Sequence, residues 1–169
     1  MPAGNTYEAI ATATGTGSAS TVTFSSISGN YTDLVLVCNV IVASSASVQI
    51  RFNSDTGSNY SYTVLDADGT TPSSNRQTNT SGIQLAGWSS NLGSSTNPSP
   101  IICNVNNYSN TTTNKTALVR STANGASTGS VDAFVGLWRN TAAINTITIV
   151  SGANFTTAST FSLYGIKAA

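Results

Sequence analysis

Val48-Gln49-Ile50-Arg51-Phe52-Asn53 decides how the chain is read. Side chains along an extended strand alternate between faces, so Val48, Ile50 and Phe52 point one way and Gln49, Arg51 and Asn53 the other. Such a strand has one buried face. Upstream, Leu34 to Val42 sets Leu34, Leu36, Cys38, Val40 and Val42 against Val35, Val37 and Ile41, and only Asn39 interrupts it. A strand apolar on both sides suits a central place in a sheet, or a subunit interface.

Working outward, similar period-two or β-branched runs occupy Tyr7 to Thr14, Thr21 to Ile27, Tyr60 to Leu65, Ile83 to Trp88, Pro100 to Tyr108, Lys115 to Thr122, Ser130 to Arg139, Ile144 to Val150 and Thr160 to Ile166. Turn-forming clusters such as Asp66-Ala67-Asp68-Gly69, Asn124-Gly125 and Ser151-Gly152 separate several of them. Helical periodicity is nearly absent. About eight to eleven short strands at this spacing predict an all-β, single-domain β-sandwich over 1–169, with 1–6 as a short N-terminal arm. The strand number, and the lack of a Cys, Trp, Cys framework in suitable order, favour a jelly-roll-like sandwich over an immunoglobulin-like one. Thr70 to Ser81 and Ser89 to Ser99 are long Ser/Thr/Asn stretches and are expected to be surface loops.

Composition narrows the chemistry. Ser, Thr and Asn supply 26, 26 and 18 of the 169 residues, charged residues make up 7%, and there is no histidine. A surface of neutral hydrogen-bonding groups lacks the charge repulsion that keeps proteins apart, and so is suited to packing against other protein. The six Lys and Arg, at 51, 76, 115, 120, 139 and 167, are scattered singly, without the clustered footprint that nucleic acid requires. No apolar run approaches the ~20 residues of a membrane-spanning helix, so no membrane insertion is expected.

Without histidine, the usual base for a serine or cysteine nucleophile is missing, and two cysteines alone cannot complete a zinc site. Cys38 and Cys103, both inside apolar runs, read as buried free thiols, with a disulfide as the lesser alternative. Asp66 and Asp68 before Gly69 resemble a fragment of a calcium loop, but the full ligand pattern is missing and Asx-turn formation accounts for them better. A glycosidase needs two facing carboxylates, and nothing in the sequence pairs Glu8, Asp33, Asp55 or Asp132. No enzyme activity, catalytic residue, cofactor or metal is expected.

Arg51 to Tyr60 carries the most local information. Asn53 and Asp55 are expected to fix a turn through side-chain bonds to the backbone, with Gly57 supplying a positive φ, before the chain returns to a strand at Tyr60. Asn59 lies in the same turn. Tyr60, Tyr62, Trp88 and Tyr108 are the candidate contacts for a partner or a glycan, since sugars are held by aromatic faces and neutral hydrogen-bonding groups.

The stretch Arg51 to Tyr60, the segment Asn107-Tyr108-Ser109-Asn110 with Asn114-Lys115-Thr116, the run Gly136 to Ile144 containing Trp138, and the ending Ser162-Leu163-Tyr164-Gly165-Ile166-Lys167 resemble β-rich virion proteins of tailed bacteriophages. The resemblance spans about Tyr31 to Lys167. It implies a jelly-roll or sandwich domain assembling as a homotrimer, with Trp138 in the core or at a subunit seam and Phe161 to Ile166 as a closing strand. Together with the low charge, the lack of a chemical site and the absence of a built-in shaft, it makes the expected function that of a capsid decoration (cement) protein in the virion, contacting the major capsid protein or other virion proteins. The alternative is a receptor-binding, tail-fibre tip or tail accessory module recognising host surface glycans.

Overall fold

Val48, Ile50 and Phe52 have no solvent-exposed surface, while Gln49 and Arg51 between them are half-buried on the opposite face. The computed structural model describes residues 6–89, 91–93, 96–124 and 129–167, so residues 1–5 of the expected arm lie outside the described residues. Among the described residues there are twelve strands and no helix. They are β1 (Tyr7–Thr14), β2 (Thr21–Phe24), β3 (Asp33–Val40), β4 (Val48–Phe52), β5 (Tyr60–Ala67), β6 (Pro72–Thr80), β7 (Ile83–Ala86), β8 (Ser99–Asn106), β9 (Lys115–Asn124), β10 (Gly129–Trp138), β11 (Ile147–Ser151) and β12 (Thr160–Ile166).

All pairings are antiparallel and form two sheets, an eight-stranded one in the order β1-β12-β3-β8-β9-β10-β5-β6 and a four-stranded one in the order β2-β11-β4-β7. With the hairpins β5–β6 and β9–β10 set aside, two four-stranded groups remain, β1-β12-β3-β8 and β2-β11-β4-β7. That is the strand order of a jelly roll, two Greek keys wrapped into a sandwich. The two hairpins extend one of its sheets past β8 by four strands. β3 is central, between β12 and β8, as its two apolar faces require.

The core lies between the sheets. Leu34, Leu36, Val105, Phe134, Trp138, Ile147, Phe155 and Leu163 are each at most 1% exposed, and every such side chain contributes roughly 1.5–3 kcal/mol by leaving water. Gly136 on β10 brings the layers into close contact, since a Cβ there would come within 3.0 Å of three Ile83 side-chain atoms on β7. β7, whose four residues are all buried, runs beneath the added strands and closes the inner face of the extension.

One expectation is overturned and another is modified. Thr70 to Ser81 is not a loop: β6 pairs with β5 from Tyr60↔Thr80 to Ala67↔Pro72. Nearly all of its side chains are exposed, so it has no apolar alternation to read, and it is held through its backbone as an edge strand. Pro72 at its first residue fits an edge, where a missing N–H is tolerated. In the stretch from Ser89 to Ser99, part of which lies outside the described residues, Leu92 is a buried anchor bridged to Ala46. Ser99 already belongs to β8.

Candidate functional site

The turn after β4 is a hydrogen-bonded knot. Its centre is Asp55, whose carboxylate accepts from Trp138 Nε1 at 2.7 Å, Asn59 Nδ2 at 2.9 Å and the Gly57 N–H at 2.8 Å. Burial opposes ionisation of Asp55, but these donors outweigh it and hold the carboxyl below its ordinary pKa. Tyr60 Oη accepts from the Phe52 N–H at 3.0 Å, and burial pushes its phenol up to about 12. Asn53 Oδ1 accepts from the Asn145 and Thr146 N–H groups, while its Nδ2 donates to Ala143 O at 2.8 Å. Arg51 Nε donates to Ser81 O at 2.9 Å.

The left-handed residues of this turn are Asn53 and Ser54, at φ 51° and 58°, and not Gly57 as expected. Gly57 leaves room for the knot, since a Cβ there would approach Asn59 Nδ2 to 2.9 Å and Asp55 Oδ1 to 3.1 Å and displace the side-chain ends that bond each other. The structure brings Arg51, Asn53, Asp55, Gly57, Asn59 and Tyr60 together in one turn and adds Trp138 from β10, a contact that the sequence did not indicate. Trp138 stacks on Tyr60 with ring centroids 6.1 Å apart and has no exposed surface.

The aromatic residues proposed for surface contact are placed differently. Tyr60, Tyr62 and Tyr108 are buried, and Trp88 is half-buried with its ring edge-on to Tyr62. The phenols turn inward to satisfy buried polar groups: Tyr62 Oη donates to Gln84 Oε1 at 3.0 Å, and Tyr108 Oη donates to Ser28 O. No open aromatic platform arises from these four residues. Near the end of β12, Tyr164 is half-buried, and Gly165 lies flat against the Tyr31 ring, where any Cβ would collide. Tyr31 Oη in turn donates to Glu8 at 3.1 Å, and Glu8 pairs with Lys167.

The feature that stands open is the outer face of the large sheet. Cross-strand register aligns Leu65, Ala133, Arg120, Ile102 and Val37 in one row. Thr63, Val135, Leu118, Asn104 and Val35 form the row beside it. Leu65 is 63% exposed, Val131 59%, Val135 55%, Leu118 49% and Val37 39%. Thr63, Leu65, Leu118, Ala133 and Val135 line an open depression of about 460 Å³, with Arg120 the charged residue on its rim. The outer face of the small sheet contrasts with it, presenting Thr23, Thr148, Gln49 and Arg51. Isolated exposed apolar residues are ordinary, whereas a contiguous patch marks an interaction surface.

The sequence marks β9 and β10 as strands without assigning a role to either face. The signal was present in Val131, Ala133, Val135 and Leu137, which alternate with the buried Asp132, Phe134, Gly136 and Trp138. Cys38 and Cys103 are free and buried on neighbouring strands; burial pushes the Cys103 thiol up to about 12 and Cys38 higher still. Of the two acids expected to make Asx turns, Asp68 does so, accepting from the Thr70 N–H at 2.9 Å and the Thr71 N–H at 3.3 Å beside Gly69 at φ 93°, whereas Asp66 lies within β5 and is paired across the sheet. Compared with protein-family models, curated proteins and solved structures, the chain matches none.

Proposed function

We propose that this chain is a structural virion protein of a tailed bacteriophage, acting as a capsid decoration (cement) protein through protein–protein contact. The observation that carries this reading is the apolar outer face of the large sheet, centred on Leu65, Leu118, Val131 and Val135. Covering such a face with another protein surface removes apolar area from water, which is the main driving force of association. The low charge of the chain, 7% of residues, lets copies pack closely without strong repulsion. The protein assembles as a homotrimer and seats on the major capsid protein at the virion surface. Because it binds the assembled shell and not its free subunits, it stabilises the shell by mass action. Burial of Tyr60, Tyr62 and Tyr108 withdraws support from glycan recognition by those rings.

The test is the copy number of this chain in purified particles, measured by quantitative mass spectrometry. A lattice component is present on the order of hundreds of copies, as symmetric shells require. A count of a few dozen or fewer would place the chain on the tail and overturn the decoration reading. Light scattering on the isolated protein tests the trimer separately.

A further inference from the structure

A second place of interest lies on the inner face of the large sheet, beneath the chain that leaves β7. Asp66 on β5 and Asp132 on β10 are direct cross-strand partners. Asp66 is 6% exposed and Asp132 not at all. Side chains so placed have Cβ atoms about 4.5–5.5 Å apart. The row continues to Ser73 on β6 and to Ser121 on β9, so oxygen-bearing side chains lie abreast on neighbouring strands. Ser73 Oγ donates to Asp66 Oδ1 at 2.5 Å and Ser130 Oγ to Asp132 Oδ1 at 3.4 Å. The backbone N–H groups of Trp88 and Gly87 also face Asp132.

Two atoms in this row have no hydrogen-bond partner, Asp132 Oδ2 and Ser121 Oγ. They belong to directly opposed residues, yet no bond joins them. Buried polar atoms are nearly always satisfied, and a buried carboxylate without a counter-charge is costly. The ion pair formed among the described residues is Lys167 with Glu8, so neither Asp66 nor Asp132 is neutralised by Lys or Arg. Two adjacent acids and a free hydroxyl therefore face the same interior space.

We propose that Asp66, Asp132 and Ser121 bind a hard divalent cation of the calcium class. Such an ion takes six to eight oxygens at about 2.3–2.6 Å, from carboxylates, neutral oxygens and water. It would engage both unpartnered oxygens at once and cancel the negative charge of the pair. With only oxygen donors on offer, the site selects against the softer metals that prefer sulfur and imidazole. The ligands come from β5, β9 and β10, so the ion ties together the strands that extend the jelly roll. This inference stands apart from the virion reading, and either can fail alone.

The test uses the full chain after chelator treatment and dialysis. Calcium chloride should raise its melting temperature in a saturable way. Terbium(III), which replaces calcium in oxygen sites, should emit when excited through the indole of Trp88, and calcium should displace it. Asp132→Asn should remove the terbium signal and the calcium response while leaving the metal-free protein at least as stable as wild type. Ser121→Ala, which retains both acids, should weaken calcium binding on the order of tenfold or more, as losing a supporting group at a metal site does. The proposal is overturned if metal-free wild type shows no calcium-dependent shift. It is equally overturned if Asp132→Asn or Ser121→Ala binds terbium as wild type does, the latter serving if the former does not fold.

Discussion

Trp138 Nε1 donates to Asp55 Oδ2 at 2.7 Å across a sequence separation of 83 residues. Trp138 ends a strand of the large sheet and Asp55 sits in the turn leaving a strand of the small one, so this bond joins the two layers of the sandwich. The buried Phe52 ring packs beside it, its centroid 5.6 Å from that of Trp138.

Asp55→Ala should destabilise the domain by about 2–4 kcal/mol, because it strips partners from the Trp138, Asn59 and Gly57 donors together. Urea denaturation followed by tryptophan fluorescence would measure the loss. A change below about 0.5 kcal/mol, typical of an ordinary surface site, would contradict the role assigned to the turn.

The same carboxylate sets a pH dependence. Its folded-state pKa is depressed by its donors, so its contribution is fully present above the unfolded value of about 3.9 and is lost as pH falls through the folded value. The gap in melting temperature between wild type and Asp55→Asn should therefore be wide at neutral pH and narrow in acid. A gap that is constant from pH 7 down to about pH 3 would mean that ionisation of Asp55 is irrelevant.

Gly136 is where β10 lies directly on Ile83. Gly136→Ala should cost about 1–3 kcal/mol through overpacking, and Ile83→Val in the same chain should recover part of that loss. A double-mutant cycle provides the check. Purely additive losses would show that the two positions do not share the contact.

Replacing Leu118 and Val135 together by Asp should leave the circular dichroism spectrum and melting temperature nearly unchanged, since both side chains lie outside the core. Self-association measured by sedimentation velocity should be lost, because paired charges on the apolar face must be desolvated on contact. A wild-type protein that forms the proposed trimer and keeps it in this variant would move the interface elsewhere.

Cys38 and Cys103 should resist thiol reagents in the folded protein, because burial both blocks access and disfavours the thiolate. Their labelling rate should follow global unfolding in denaturant. Rapid modification of native protein at mild pH would reveal local opening of β3 and β8.

The parts of this fold legible in the sequence are strands whose side chains alternate in burial, fully in β4 and β12 and partly in β1. β1 and β12 were bounded to the residue, and β4 to within one, because turn residues stop an apolar alternation sharply. β6 is not legible because Ser73, Ser74, Asn75 and Arg76 are exposed and their pairing to β5 is made by the backbone, which leaves no apolar alternation in the sequence. The residues of the Asp55 turn were identified because Asn, Asp and Gly have few other local uses, although which of them adopts positive φ depended on neighbours from 143–146. The pairing of Asp66 with Asp132 was invisible, since it depends on β5 and β10 meeting across a non-local register. Tyr60, Tyr62 and Tyr108 were read as surface rings because polar neighbours in sequence said nothing of the opposite sheet.

β12 lies between β1 and β3, although β1 and β3 precede it in the chain by more than a hundred residues. During synthesis, then, the first strand waits without its neighbour while the middle of the domain is made, and the edge of β3 stays open until β12 arrives. Such late, long-range closure slows folding and lengthens the time for which pairing groups are exposed. The strands made in that interval are not polar throughout on their outward side, where Leu65, Leu118, Val131 and Val135 stand among Ser, Thr and Asn residues. An unfinished sheet therefore offers a neighbouring nascent chain both open strand edges and apolar surface until β12 closes it.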